Sequence, residues 1–208
     1  MIYLDVKDLS FSYNSIPIID NFNCRINASS NLIIGDNGSG KSTFGKLICG
    51  LIIPTMGSIK IDNQELVNLK PSKKIQLASY ISQINTLQFL SSTLSDEIGL
   101  TKTLSKTSLE TIPYDFFRLP ISKEYNPFDL DVNESWRFMI FLSTIICPKL
   151  LYIDEIPSLS NKNNLEILNK ILIDRKDRGL ITFISYQRNI KYNFDNVYEI
   201  NNAKIICS

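Results

Sequence analysis

The sequence predicts an α/β fold built on a mostly parallel sheet, with an N-terminal antiparallel β layer and an inserted helical subdomain. Three observations carry this expectation. The second half of the chain alternates continuous apolar runs with helical patterns, as a parallel sheet covered on both faces requires. The first part is a series of short Ile-, Phe-, Tyr- and Val-rich runs broken by Asn, Asp, Ser and Pro. Between them lies GDNGSGKSTF, Gly35 to Phe44, just after an apolar run and just before a helical one.

At 208 residues the chain suffices for one sizeable core, or one domain carrying a smaller appended subdomain. The expected organisation is a single domain over 1–208 with the helical subdomain at about 85–133. IYLDVKDLSFSYN and NFNCRINASSNLIIGD read as short antiparallel strands leading into one buried strand, Asn31 to Ile34. Ser42 to Cys49 places Phe44, Leu47 and Ile48 in a helical pattern, and Gly50 stands where a helix end wants a left-handed residue. In GSIKIDNQEL, Ile59 and Ile61 alternate with polar residues before a turn at Asp62-Asn63, so this strand returns to the antiparallel layer.

The middle lacks strand alternation and holds Pro113, Pro120 and Pro127, which predicts helices and loops. A helix from Glu134 to Cys147 runs into Pro148, and KLLYIDE follows as a fully buried strand. NNLEILNKILIDRKDRG sets Leu165, Leu168 and Leu172 on one stripe and stops at Gly179. LITFIS is another buried run, and NVYEI with AKIICS forms a final pair.

Composition narrows the function. Formal net charge is +1 with both signs interspersed, so no long-range field favours nucleic acid or an anionic membrane. Cys24, Cys49, Cys147 and Cys207 are far apart without C-x-x-C spacing, which fits reduced thiols. The N-terminus shows no signal-peptide pattern, so a cytoplasmic location is expected. The apolar run Phe138 to Cys147 is far short of the roughly 20 residues a bilayer span needs. The chain holds no histidine, the usual acid/base group at neutral pH. Any hydrolysis must then run on carboxylates and Mg²⁺.

Gly35-x-x-x-x-Gly40-Lys41-Ser42 fits the phosphate-loop template completely. Its glycines let the backbone curl so that N–H groups point at phosphates, and the helix after it adds its positive end. Lys41 supplies a cation for the β- and γ-phosphates, and the Ser42 hydroxyl is placed for Mg²⁺. In LLYIDE, Asp154 ends a buried strand where a carboxylate can hold the Mg²⁺ water shell, with Glu155 beside it on the γ-phosphate side.

With these two motifs in this order and separation, the chain resembles an ATP-binding cassette (ABC) ATPase, the nucleotide-binding subunit of ABC transporters, over nearly its whole length. The resemblance implies the phosphate-loop NTPase fold. It implies that Mg-ATP is held by Gly35, Asp36, Asn37, Gly38, Ser39, Gly40, Lys41, Ser42 and Thr43, with Asp154, and that Glu155 polarises the attacking water. LSFSYN resembles the family's A-loop, which would stack Tyr13 on adenine; read by itself, Tyr13 is a strand aromatic of the core. ASYISQ resembles the Q-loop, so Gln83 would touch Mg²⁺ or the water and relay nucleotide state to the helical subdomain. DEIPSLSN continues as the D-loop, with Ser158 and Leu159 in register but Ile156 and Asn161 where proline and aspartate are usual.

Two segments depart from the family pattern. The signature Leu-Ser-Gly-Gly-Gln should fall on Leu130 to Glu134, which read LDVNE, with Arg137 supporting the register. Asp131 would bring a carboxylate toward a partner's phosphate, costing about 1 kcal/mol at ~4 Å in water-like surroundings and more in a drier site. Val132 and Asn133 replace the glycines that permit close approach. The same aspartate favours the start of its own helix. TFISYQRN resembles the H-loop, but Tyr186 holds the switch-histidine position. It reads equally as a packed ring or as a substitute that orients the γ-phosphate without shuttling protons.

The resemblance implies an ATP-binding subunit, peripheral on the cytoplasmic face of the membrane through transmembrane permease subunits. It would pair with a second ATP-binding subunit, as homo- or heterodimer, with hydrolysis slow or dependent on that partner. Alternatives are a non-catalytic ATP-binding regulator of a membrane complex, and a soluble ABC-type ATPase acting on nucleic acid or ribosomes. The expected partners include no nucleic acid. Neither the cargo nor its direction is readable.

Overall fold

Strands β1 (Tyr3–Tyr13) and β2 (Ile16–Asn27) open the computed structural model, which describes residues 2–105, 112–120, 122, 124–158, 161–187 and 192–207. They are long, at 11 and 12 residues, where the sequence pattern predicted short ones. The reason lies in bulges. The buried set runs Leu4, Val6, then Leu9, Phe11 in β1, and Ile19, then Phe22 in β2, so the alternation slips by one residue in each strand. The pairing register shifts there, and Asp8 (φ 49°) and Asn21 (φ 52°) absorb the kink in left-handed backbone. Side chains satisfy the displaced amides: Asp8 N–H donates to Asn23 Oδ1 (2.9 Å) and Asn21 N–H to Ser10 Oγ (2.9 Å). Residues that read as breaks thus sit inside continuous strands.

β3 (Ser30–Ile34) leads through the glycine-rich loop into α1 (Lys41–Ile48). Past α1, Gly50 takes the left-handed conformation (φ 68°) and donates to Leu47 O (2.9 Å), closing the helix. β4 (Met56–Ile61) turns at Asp62 and Asn63 (φ 48° and 62°) into β5 (Gln64–Glu65). β1, β2, β4 and β5 form a four-stranded antiparallel sheet in the order β2-β1-β4-β5.

A short α2 (Pro71–Leu77) precedes β6 (Ala78–Ile81). The region 85–133 then contains 3₁₀ turns at Asn85–Gln88, Tyr114–Phe117 and Pro127–Asp129, and one described α-helix, α3 (Leu94–Leu104), capped by Thr93. α4 (Val132–Ile146) begins two residues before the predicted Glu134, because Asp131 caps it. β7 (Leu150–Asp154), α5 (Lys162–Asp177), β8 (Ile181–Tyr186) and the hairpin β9 (Asn196–Asn201) with β10 (Lys204–Cys207) complete the chain. In α5 the buried stripe is Ile167, Leu168, Ile171 and Leu172, with Leu165 left at its half-buried margin.

The second sheet has six strands in the order β10-β9-β3-β8-β7-β6, all parallel except the β10 edge. Its strands alternate between two cores. Ile33, Leu150, Tyr152 and Phe183 face α1 and the antiparallel sheet. Leu32, Leu151, Ile153 and Ile184 face α4 and α5. This is the mostly parallel sheet with an antiparallel layer that the residue pattern predicted.

One contact locks α1 to the sheet. A Cβ on Gly45 would lie 2.4 Å from the Tyr152 ring, so only glycine leaves room for it. Through that gap the Tyr152 hydroxyl donates to Lys41 O (2.8 Å). The ring cannot retreat, since it is stacked on Tyr80 (5.6 Å, 15°) and Phe183 (6.2 Å, 21°). Gly45→Ala is therefore expected to destabilise the fold by about 2 kcal/mol, overpacking outweighing the gain in helix propensity. Urea denaturation checks this, and combining it with Tyr152→Leu should give less than the sum of the single effects.

Candidate functional site

The parallel strands bring their C-terminal ends to one edge of the sheet, where ligands bind in such folds. Ile34 pairs with Tyr186, Asp154 with Ser185, and Ile81 with Ile153. The glycine-rich loop, the acid pair, Tyr186 and the segment carrying Gln83 therefore share one end.

The loop after β3 cannot carry side chains at its two ends. A Cβ at Gly35 would fall 2.6 Å from Ile200 O, and one at Gly40 (φ 109°) 2.8 Å from Ile18 Cγ2. Lys41 curls back over the loop and its ammonium donates to Gly35 O (2.7 Å) and Asp36 O (2.9 Å). Burial lowers the Lys41 pKa, against the carboxylates of Glu155, Asp154 and Asp36, which raise it. Asp36, Asn37, Gly38 and Ser42 are exposed, while Ser39 and Thr43 are half-buried. The Ser39 hydroxyl is buried with no hydrogen-bond partner among the described residues, so it is free to meet a ligand oxygen. Beside the loop lies a cleft of about 500 Å³, walled by Ile16, Pro17 and Ile18 of β2. Tyr13, 47% exposed and edge-on to Phe11, pairs with Ile16 at the rim of that cleft without lining it.

Asp154 is 5% exposed, and both its oxygens accept from hydroxyls: Oδ1 from Ser185 Oγ (2.6 Å) and Oδ2 from Tyr80 (2.5 Å). Among the described residues no lysine or arginine pairs with it. Burial and the Asp154 carboxylate push the Tyr80 phenol well above its ordinary pKa, so it donates rather than ionises. Glu155 follows in left-handed backbone (φ 68°), half-buried, its N–H donating to Ser185 Oγ (3.2 Å). Ser185 thus ties the two acids together. Among the described residues no three His, Cys, Asp or Glu side chains cluster as a metal cage. A buried carboxylate with an exposed serine hydroxyl nearby is a hard-oxygen set that fits Mg²⁺, which takes few protein ligands and completes its shell with phosphate and water.

The remaining predicted residues are less engaged. Gln83 is exposed beyond β6; the side chain that grips this strand is Gln88, which accepts from Ser82 N–H (2.8 Å) and donates to Tyr80 O (2.9 Å). Tyr186 is half-buried and its ring packs against the core on the helical face. Ser158 accepts from Asn161 N–H (3.4 Å) at the turn into α5, whereas Leu159 lies outside the described residues. Sequence reasoning missed Tyr80, Tyr152 and Ser185. Their signal was polar aromatic and hydroxyl residues within strands that otherwise read as apolar.

Leu130 to Glu134 folds as a helix start. Asp131 Oδ1 accepts from Asn133 N–H (2.7 Å) and Glu134 N–H (2.8 Å), and Glu134 Oε2 accepts from Asp131 N–H (3.0 Å), a reciprocal capping box. Asn133 Oδ1 accepts from the buried Asn164 of α5 (2.8 Å). The amides at the start of α4 already face a carboxylate.

Residues 19–156 match the ABC transporter family. The chain belongs to that family. This ABC cassette is 29% identical over 211 residues to the energy-coupling factor transporter ATP-binding protein EcfA1 of Fusobacterium nucleatum, covering 97% of this chain and 80% of that relative. It is 30% identical over 159 residues to an ABC transporter ATP-binding protein of Clostridium tetani, covering 74% of this chain but only 36% of that longer relative. Among solved structures, an ATP-binding subunit of an ABC transporter matches with a TM-score of 0.82 at 22% identity, over 99% of this chain and 89% of that one. A dimeric ATP-binding cassette in a post-hydrolysis state, bound to ADP and Pi, matches with a TM-score of 0.81 at 18% identity, over 97% and 96%. The fold is the phosphate-loop NTPase fold of ABC cassettes, and this ABC chain is of the family's ATP-binding type. No helix among its described residues is long and apolar enough to cross a membrane.

Asp131→Ala removes one half of the capping box and is expected to cost about 0.5–2 kcal/mol of stability. Val132→Ala, exposed on the same turn, should stay within about 0.5 kcal/mol, both read by urea denaturation.

Proposed function

We propose that the chain is the Mg-ATP-binding subunit of an ABC transporter, working beside a second ATP-binding subunit and docked on separate transmembrane subunits at the cytoplasmic face. The observation that carries this is the assembly on one sheet edge of the glycine-rich loop with its curled-back Lys41 and the buried Asp154. In this reading the amides of Gly35 to Thr43, Lys41 and the Ser39 hydroxyl hold the phosphates, and Tyr13 stacks on the base. Ser42, Asp154 and Gln83 hold Mg²⁺, which supplies charge neutralisation at the β- and γ-phosphates when bound. Glu155 orients the attacking water, and Tyr186 stands on the γ-phosphate side as a hydrogen-bond donor at most.

The capping box makes the pairing unequal. The Asn133 and Glu134 amides at the start of α4 are occupied by Asp131, so this chain offers a partner's phosphate neither those donors nor glycine backbone. We infer that it works with a different subunit whose own cap is intact, and that its homodimer hydrolyses ATP very slowly. A second reading, an ATP-binding regulator that does not turn over, is favoured by the packing of Tyr186 into the helical core.

Calorimetry with Mg²⁺ should show ATP binding that Lys41→Ala weakens about 10- to 100-fold, the worth of a charge-assisted phosphate contact. Absence of binding by the unmodified, folded chain would overturn the proposal. The four-residue replacement Asp131→Ser, Val132→Gly, Asn133→Gly and Glu134→Gln, combined with Tyr186→His, should raise homodimer ATPase activity while lowering stability. Glu155→Gln should abolish turnover of the heteromeric complex; an unchanged rate there would select the regulator reading.

A further inference from the structure

Three rings stand side by side across the parallel sheet: Tyr80 on β6, Tyr152 on β7 and Phe183 on β8, paired in register. Two of them carry hydroxyls, and each reaches a different part of the site. Tyr152 donates to Lys41 O at the start of α1 (2.8 Å). Tyr80 donates to Asp154 Oδ2 (2.5 Å), a length typical of a charge-assisted O–H···O⁻ bond. Its ring is held by the near-parallel stack on Tyr152, and its strand by the Gln88 side chain. The hydroxyl therefore has little freedom to be elsewhere. The Ser42 hydroxyl lies near enough to this phenol to act against the rise in its pKa. Tyr80 thus stands beside the serine and the aspartate, two of the three residues assigned above to the cation.

We propose that Tyr80 is a positioning residue for the divalent cation, its phenol fixing Asp154 Oδ2 beside the Ser42 hydroxyl so that both oxygens are set before the metal arrives. This rests on the Mg-ATP reading above. Asp154 Oδ1 is fixed independently by Ser185, so the phenol's task is to stop the carboxylate rotating about its remaining free torsion. With Tyr80 donating, the carboxylate keeps its orientation. Without the phenol, the metal must order that oxygen itself, and outer-shell partners of this kind are commonly worth about 10- to 100-fold in metal affinity.

Tyr80→Phe removes the hydroxyl and keeps the ring on Tyr152. Two quantities are measured on this variant and on the unmodified chain: ATP affinity in EDTA by calorimetry, and Mn²⁺ affinity of the ATP-loaded protein by electron paramagnetic resonance. The expected result is unchanged metal-free ATP binding with Mn²⁺ binding weakened about 10-fold or more. Tyr80→Met, apolar and adaptable, is held to the same outcome should the phenylalanine variant fold poorly. Mn²⁺ affinity within about twofold of the unmodified chain would overturn the inference, as would equal losses with and without metal, which mark a packing role. Failure of the unmodified chain to bind ATP at all would overturn the Mg-ATP reading and this inference with it.

Discussion

The hydrogen bond from Tyr152 to the Lys41 carbonyl, passed through the gap at Gly45, sets the geometry on which the site depends. It joins the first residue of the helix that ends the glycine-rich loop to the strand that ends in Asp154. Taken alone the bond is modest, about 0.5–1.5 kcal/mol net. Its effect on position is larger, because the ring is stacked on both sides and cannot absorb a shift. The ammonium of Lys41 and the carboxylates of Asp154 and Glu155 are thereby held at a fixed offset by packing rather than by mutual attraction. Phe44, edge-on to both Phe22 and Phe183, repeats the same logic one turn along, tying the helix to the antiparallel layer as well as to the parallel sheet.

A second constraint lies at the start of α4. A helix N-terminus has donors that something must satisfy, whether a side chain, water or a ligand. In α4 two of them, the Asn133 and Glu134 amides, are satisfied from within, by a carboxylate one residue ahead of the helix. An intramolecular cap needs no loss of translational freedom, whereas a phosphate delivered by another subunit must overcome that cost and displace Asp131 as well. Repulsion between the two anions adds to the difference. In the pairing proposed above, the interaction that stabilises this helix would be the one that withholds its end from a nucleotide, and the hydrogen bond from Asn164 to Asn133 fastens the arrangement to α5.

Most of the fold was legible because its signals are local. The buried runs of β7 and β8, the left-handed residue after α1 and the Asp62-Asn63 turn each follow from a few neighbouring residues. The long N-terminal strands were not, since Asp8, Ser10, Asn21 and Asn23 read as breaks and only the tertiary pairing shows them as bulges. At the site, the glycine spacing and the strand-terminal Asp154 were readable from composition and order. Tyr80 and Ser185 were not, because their importance comes from register: β6 and β8 must flank β7 before either hydroxyl can meet Asp154. Gly45 was invisible for the same reason, its meaning residing in a ring 107 positions away that the sheet brings under the helix.

Nucleotide binding on such a scaffold is an exchange of partners more than a construction. Lys41 already points over the loop, where it donates to two neutral carbonyls. Bonds between an ammonium and a phosphate are charge-assisted on both sides and stronger than those it gives up, so the side chain has a favourable move of a few ångströms available and little else to reorganise. Burial weakens the hold of Lys41 on its proton, and the nearby carboxylates offset that only in part; a polyanion would act in the same direction as they do. The acid pair needs even less adjustment, with Asp154 clamped on both oxygens and the Glu155 backbone tied to the same serine. The residues this chain contributes are thus preorganised, and in the pairing proposed above the free energy of closure would come chiefly from donors on the other subunit.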